Sequence, residues 1–255
     1  MSQNLFDRFA SGIADLQKTA IETQGGERYT YADLVALSGR LAGALRALGV
    51  EPGDRVAVQV EKSVPALVLY LAVVRAGGVY LPLNTAYTLA ELAYFIGDAE
   101  PKVVVCDPGK QAGVEEIARP LGASVVTLDA RGQGSLMEKA QAAAPDFATV
   151  PRGSDDLAAI LYTSGTTGRS KGAMLTQDNL VSNALTLRDH WRFTADDVLI
   201  HALPIYHTHG LFVATNCVLF SNAGMIFMPK FDPEAIFKAL PRATCLMGVP
   251  TFYTR

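Results

Sequence analysis

The sequence has few cysteines, no long apolar run and no excess of positive charge, and each absence excludes a class of protein. The three cysteines are odd in number, scattered and set in apolar surroundings, so neither a disulfide framework nor a metal-ligand spacing is visible. The longest apolar run, Ala66 to Val74, is far too short to span a bilayer. The net charge of -3 provides no basic surface for nucleic acid or for an acidic membrane.

The composition that remains is typical of a folded domain. With 255 residues, of which 49% are hydrophobic and 18% charged, the chain can bury a substantial core and is not disordered. The polar N-terminus lacks the pattern of a signal peptide. We therefore expect a soluble cytoplasmic protein, without nucleic-acid or membrane partners, whose cysteines are buried free thiols: Cys106, Cys217 and Cys245.

Short β-rich runs alternate with helical runs along most of the chain. Gly25-Gly26 predicts a hairpin, Thr30 with Asp33 forms a capping-box pattern that opens a helix, and Thr88 with Glu91 is predicted to open another. From Arg55 onward, the alternation of strand and helix predicts parallel β-α units. The predicted fold class is α/β, with mostly parallel sheets flanked by helices. The strands predicted after the hairpin are Val56 to Val60, Val79 to Leu83, Val103 to Cys106, Ser124 to Leu128, Leu157 to Leu161, Val198 to Leu203, Met225 to Met228 and Thr244 to Gly248.

The stretch Tyr162 to Gly172, YTSGTTGRSKG, follows a predicted buried strand but cannot itself contribute to a core. It contains three glycines, four hydroxyl side chains from Thr163 to Thr167, and the cations Arg169 and Lys171, without a carboxylate. Glycines allow the backbone to approach a ligand, and successive N–H groups, hydroxyls and a lysine are donors for an anion. The stretch is therefore predicted to bind phosphate, and an ordinary flexible connector is the alternative that composition leaves open.

Two features of the neighbourhood refine this prediction. Lys171 lies between Ser170 and Gly172, so the Gly-Lys-Ser/Thr ending of mononucleotide kinases and GTPases is absent. A helix is predicted from about Gln177, with one apolar face formed by Leu180, Ala184, Leu187 and Trp191. Its N-terminus is expected near Lys171, where its dipole would add to anion binding. The segment Ala130 to Ser154 is predicted to be a surface excursion.

The loop resembles the signature loop of the adenylate-forming (AMP-binding) enzymes, which include acyl-CoA synthetases, luciferases and peptide-synthetase adenylation domains. That signature is usually written YTSGTTGxPKG, and Ser170 replaces its proline. Two weaker motifs of the family, YTYADL and RAGGVYLPLN, are also matched, although each has a purely structural alternative. The resemblance implies an ATP site in which Lys171 contacts the phosphates and the other loop residues bind the nucleotide: Thr163, Ser164, Gly165, Thr166, Thr167 and Gly168.

The segment PIYHTHG contains two of the four histidines. Residue matching to the family places His207 where the carboxylate, the adenylate and the thiol meet, and His209 is assigned to packing. A metal site at this pair, which would share one face of an extended chain, is disfavoured because no third ligand is evident nearby. His190 and His201 are interpreted as structural. The magnesium ion implied by a triphosphate is expected to find its protein ligand outside this chain.

Three stretches, GRSKGAML, YHTHGLF and LNTAYTLAEL, together resemble the malonyl-CoA synthetases of the family. This implies malonate, ATP and coenzyme A as substrates. Arg169, beside Lys171, and a protonated His207 are then candidate cations for the second carboxylate, since arginine binds a carboxylate bidentately. An additional phosphate contact or an exposed loop position are the alternatives for Arg169, and methylmalonate or acetate are the alternatives for the acid.

Motifs that the family carries further along its chains have no counterpart before Arg255. They are a glutamate that holds magnesium, an aspartate that binds ribose, a hinge and a C-terminal cap with a catalytic lysine. We therefore expect residues 1–255 to be the N-terminal part of an AMP-binding domain, without the cap domain. On its own the chain is expected to be inactive, and a nucleotide-binding module without turnover is the alternative reading of this piece.

Overall fold

The computed structural model describes residues 2–163, 170–252 and 254. The strands are β1 (Thr19–Thr23), β2 (Arg28–Thr30), β3 (Arg55–Gln59), β4 (Val79–Pro82), β5 (Val103–Cys106), β6 (Ser124–Thr127), β7 (Leu157–Thr163), β8 (Lys171–Thr176), β9 (Val198–His201), β10 (Gly224–Phe227) and β11 (Cys245–Leu246). The α-helices are α1 (Leu5–Ala10), α2 (Tyr31–Ala47), α3 (Val64–Arg75), α4 (Leu89–Ala99), α5 (Gln111–Ala118), α6 (Ser135–Gln141), α7 (Gln177–His190), α8 (Asn216–Phe220) and α9 (Pro233–Ala239), and a π-helix covers His209–Thr215.

The chain divides into two compact units, each containing one of the two sheets. The first unit consists of Met1–Arg8 and Val35–Leu180, and the second consists of Phe9–Leu34 and Val181–Arg255. Across the described ranges, no helix combines the length and the apolar character that crossing a membrane requires.

The sheet of the first unit has the order β6-β5-β3-β4-β7-β8. Its first five strands are parallel, whereas β8 runs antiparallel to β7 along the edge. Helix α3 is buried along almost its whole length, which explains why its sequence is apolar on all sides. Asn4 is also buried, and its amide donates to the carbonyls of Val74, at 2.7 Å, and Val150, at 2.9 Å.

The sheet of the second unit has the order β11-β9-β10-β1-β2. Strand β1 is parallel to β10, with Ile21 opposite Met225, and antiparallel to β2. Tyr31 is fully buried in this unit and its hydroxyl donates to the carbonyl of Ala223 at 2.8 Å. The two sheets, with helices between their successive parallel strands, confirm the predicted α/β fold class.

Local signals at helix starts are confirmed in detail. Asp33 accepts the backbone N–H of Thr30 at 2.8 Å, and the corresponding capping box of α4 joins Thr88 and Glu91. The glycine pair of RAGG ends a helix, as its structural interpretation predicted, because Gly77 adopts a φ of 79° just after α3.

Three predictions about elements are wrong. The residues between the loop and α7 form strand β8, which spans about 20 Å, so the N-terminus of α7 is far from Lys171 and does not add its dipole there. The predicted surface excursion contains α6, whose Leu136 and Ala140 are buried. Trp191, expected on the apolar face of α7, follows that helix and is 45% exposed.

Candidate nucleotide-binding site

The hairpin of β7 and β8 holds both ends of the phosphate-loop sequence. The register places Thr163 opposite Lys171 and Tyr162 opposite Gly172. Side chains directly opposite in an antiparallel pair share one face, with Cβ atoms about 5 Å apart. The hydroxyl of Thr163 and the ammonium group of Lys171, both exposed, therefore project from the same face of the hairpin.

Burial explains why the hairpin forms at this place. Ala158, Ala159 and Leu161 of β7 are buried, and Ala159 pairs with Tyr80 of the parallel strand β4. Thr163 is the last residue of β7, and ligands of parallel α/β sheets bind at the carboxyl ends of the strands. The position of Thr163 is therefore suitable for a nucleotide.

The remaining loop residues that the sequence assigned to ATP or to the acid lie outside the described residues. They are Ser164, Gly165, Thr166, Thr167, Gly168 and Arg169. Their assigned roles, including that of Arg169 toward a second carboxylate, stay predictions. Of the assigned loop residues, the structure thus brings Thr163 and Lys171 together.

His207 lies in the second unit, on the segment that joins β9 to the π-helix. Its side chain is exposed, and its ring makes an edge contact with that of Tyr206, with ring centroids 4.7 Å apart. Its carbonyl accepts the N–H of Leu211 at 3.0 Å. A π-helix that begins two residues after His207 is itself typical of functional sites.

The backbone just after His207 is held by hydrogen bonds that local sequence patterns did not indicate. The Gly210 carbonyl accepts hydrogen bonds from Nε2 of buried His201, at 2.8 Å, and from Oγ1 of Thr215, at 3.0 Å. A Cβ on Gly210 would lie 2.0 Å from the carbonyl oxygen of Pro204. His201, interpreted as structural, thus helps to fix the backbone just after His207.

The histidine pair does not have the extended geometry that the sequence interpretation assumed. His207 lies in a bend and His209 begins the π-helix, so the two are not alternate residues of a strand. His209 is partly buried and lines a cavity of about 460 Å³ with Trp191, Cys245 and Met247, and its assignment to packing stays a prediction. No cluster of three or more metal-ligating side chains occurs within the described ranges.

Desolvation lowers the pKa of His207 below its ordinary value of 6.5. The direction of this shift favours the neutral imidazole at neutral pH in the chain without ligand. The roles assigned to His207, including that of a cation for a second carboxylate, stay predictions.

We expect His207 to titrate below pH 6.5 in the folded protein. Because the unfolded chain takes up this proton first as the pH falls, His207 should lower the free energy of unfolding below about pH 6.5, and this loss should be absent in His207→Gln. The measurement is an NMR titration of histidine-labelled protein, with His207→Gln assigning the resonance. A midpoint at or above 6.5 would contradict the desolvation.

Comparison with known proteins identifies the family. The family model described as AMP-binding enzyme matches residues 10–255. The chain belongs to this family. Crystal structures similar to this chain include MatB from Rhodopseudomonas palustris, solved both without ligand and with ATP bound. Each of the two is 66% identical with a TM-score of 0.98, covering 100% of this chain and 51% of that chain.

Curated relatives of this AMP-binding chain carry different substrate names. The mitochondrial malonate–CoA ligase ACSF3 of Homo sapiens is 33% identical over 258 residues, which cover 97% of this chain and 44% of the relative. A feruloyl-CoA synthase of an Amycolatopsis species is 34% identical over 231 residues, which cover 90% of this chain and 45% of the relative. The chain thus spans less than half the length of these curated relatives.

Proposed function

We propose that this AMP-binding chain is the N-terminal part of an ATP-dependent acyl-CoA synthetase that converts malonate into malonyl-CoA. The observation that carries the proposal is the pairing of Thr163 with Lys171 at the carboxyl end of β7. A hydroxyl and an ammonium group on one face are donors for phosphate oxygens, and Lys171 supplies the positive charge.

The proposed reaction has two steps. An oxygen of the carboxylate attacks the α-phosphorus of ATP, the bond to the bridging oxygen breaks, and pyrophosphate leaves with that oxygen. The sulfur of coenzyme A then attacks the acyl carbon, and AMP leaves as the thioester forms. Both transition states develop charge on phosphate or carbonyl oxygens, so the protein contributes mainly by alignment and by electrostatic stabilisation.

In this proposal Lys171 neutralises phosphate oxygens during the first step. His207, whose side chain is exposed, is proposed to hydrogen-bond an oxygen of the carboxylate and later the carbonyl oxygen of the acyl group. Arg169 is proposed to bind the second carboxylate of malonate. ATP enters as its magnesium complex, and no residue of the described ranges is assigned to the metal.

Malonate is favoured over other acids by two similarities. The stretches GRSKGAML, YHTHGLF and LNTAYTLAEL resemble the malonyl-CoA synthetases, and the relative ACSF3, at 33% identity, is named for malonate. A feruloyl-CoA synthase matches equally well at 34%, so an identity of 33% to ACSF3 does not by itself select an acid. The alternative is a ligase for another short acid, such as methylmalonate or acetate.

The test is ATP-dependent thioester formation by the full-length enzyme with malonate, methylmalonate, acetate and octanoate. We expect kcat/KM to be highest for malonate, and a single methylene to change it by about 10- to 200-fold. A preference for octanoate would contradict the choice of acid. Absence of pyrophosphate release with all four acids would contradict the ligase itself. The 255-residue chain, assayed beside it, is expected to show no turnover.

A further inference from the structure

Two tyrosine hydroxyls connect helix α4 to the two ends of the phosphate-loop hairpin. Tyr94, on α4, donates to the carbonyl of Ser170 at 2.8 Å, directly before Lys171. Tyr162, directly before Thr163, donates to the carboxylate of Asp98, also on α4. Helix α4 therefore donates one hydrogen bond to Ser170, just before β8, and accepts one from Tyr162, near the end of β7.

The helix geometry allows both bonds at once. Tyr94 and Asp98 are four residues apart, so they lie one turn apart on the same face of α4. Between that face and the hairpin, the ring of Tyr162 contacts those of Phe95, with centroids 4.7 Å apart, and Tyr94, with centroids 6.3 Å apart. Aromatic pairs prefer edge and tilted arrangements, so these contacts fix the orientation of the rings in addition to burying them.

The end of the hairpin extends beyond the strand that supports it. Among the described residues, the pairing of β4 with β7 consists of Tyr80 with Ala159. The pairing of β7 with β8 continues four residues further, to Thr163 and Lys171. On the β8 side, Lys171 to Met174 are exposed. The contacts with α4 are therefore placed where backbone pairing to the rest of the sheet has ended.

The Tyr162 hydroxyl keeps its proton under physiological conditions. Burial and the hydrogen bond to Asp98 both raise the pKa of Tyr162 well above its ordinary value of 10.0. A neutral phenol facing a carboxylate forms a charge-assisted bond, which is stronger than a bond between two neutral groups.

We propose that Tyr94 and Tyr162 are positioning residues that act through Lys171 and Thr163, so that α4 fixes where these two groups meet the phosphates of ATP. This rests on the proposed function, because it assigns to α4 a part in nucleotide binding. A role in packing alone would need the rings but not the hydroxyls. Replacement of tyrosine by phenylalanine separates the two roles, because it keeps the ring contacts and removes only the hydrogen bond.

The experiment compares Tyr94→Phe and Tyr162→Phe in the full-length enzyme with a matched control, Tyr31→Phe. The control removes a buried tyrosine hydrogen bond in the second unit. Tyr94→Phe and Tyr162→Phe, the two anchor variants, are each expected to raise KM for ATP about three- to tenfold, the effect of one net hydrogen bond, while KM for malonate stays within about twofold. The control is expected to lower Tm and leave KM for ATP unchanged.

Asp98→Asn, which keeps an acceptor, should retain more ATP affinity than Asp98→Ala.

Hydrogen exchange of a peptide covering residues 170–176 is a readout that does not require turnover. Exchange should accelerate in both anchor variants and not in Tyr31→Phe. If KM for ATP and this exchange rate are unchanged in both variants, or if the KM values for ATP and malonate rise together with a fall in Tm, the positioning role is wrong. A wild-type enzyme that converts none of the acids while the exchange result holds would refute the ligase and leave the anchoring supported.

Discussion

Lys171→Ala in the full-length enzyme is expected to slow pyrophosphate release by about 100- to 1,000-fold, the effect of removing one preorganised charge from a phosphoryl-transfer site. The exposed side chain at the start of β8 makes few contacts that its loss could disturb, so Tm should stay within about 2 °C of the wild type. The measurement is the rate of pyrophosphate release with saturating malonate, together with a thermal melt.

Two further variants serve as controls for Lys171→Ala. Lys139→Ala removes an exposed lysine from α6 in the same unit and should leave the rate unchanged. Lys171→Arg keeps the charge and changes its geometry, so it should recover part of the rate. If Lys171→Ala retains the rate within threefold, Lys171 does not have the assigned role.

Gly210→Ala is the substitution from which we expect a large effect at His207 without changing His207 itself. Its Cβ would lie 2.0 Å from the backbone oxygen of Pro204, and a backbone atom cannot move aside like the end of a flexible side chain. The Gly210 carbonyl must then shift away from His201. We expect a loss of about 1–3 kcal/mol in the free energy of unfolding, and a fall in kcat/KM of about 100-fold because His207 is displaced.

The control is the same change at Gly97, an exposed position in the last turn of α4. A Cβ there meets no atom within 4 Å, so Gly97→Ala should stabilise the protein by about 0.5–1 kcal/mol and leave kcat/KM unchanged. Unchanged activity and Tm in Gly210→Ala would show that the turn after His207 tolerates rearrangement.

The parts of the fold that sequence predicted are those determined by neighbouring residues. The capping boxes at Thr30 and Thr88 involve partners three residues away, and both are present. Strand β8 was missed because Lys171 and Gly172 give its beginning no strand character, and its formation depends on pairing with β7. Long-range pairing of this kind overrides local propensity.

The candidate site divides in the same way. A motif identified Lys171 and His207, because their residue types and order are local. The hydrogen bond from Tyr94 to Ser170 joins residues 76 apart, and no pattern within either segment indicates it. His201 was interpreted as structural, in agreement with its hydrogen bond to the Gly210 carbonyl, but the sequence did not indicate this partner, which a turn and a π-helix bring back to it.

Strand β1 has a consequence for synthesis on the ribosome. Its parallel partner β10 is encoded about 200 residues later, so at about 5–20 residues per second β1 waits roughly 10–40 seconds for it. During that interval the β1–β2 hairpin has an open edge that can pair with another nascent chain, while the residues from Val35 to Leu180 can already assemble their own sheet. The β1–β2 hairpin is therefore synthesised long before β10, the strand that completes its pairing.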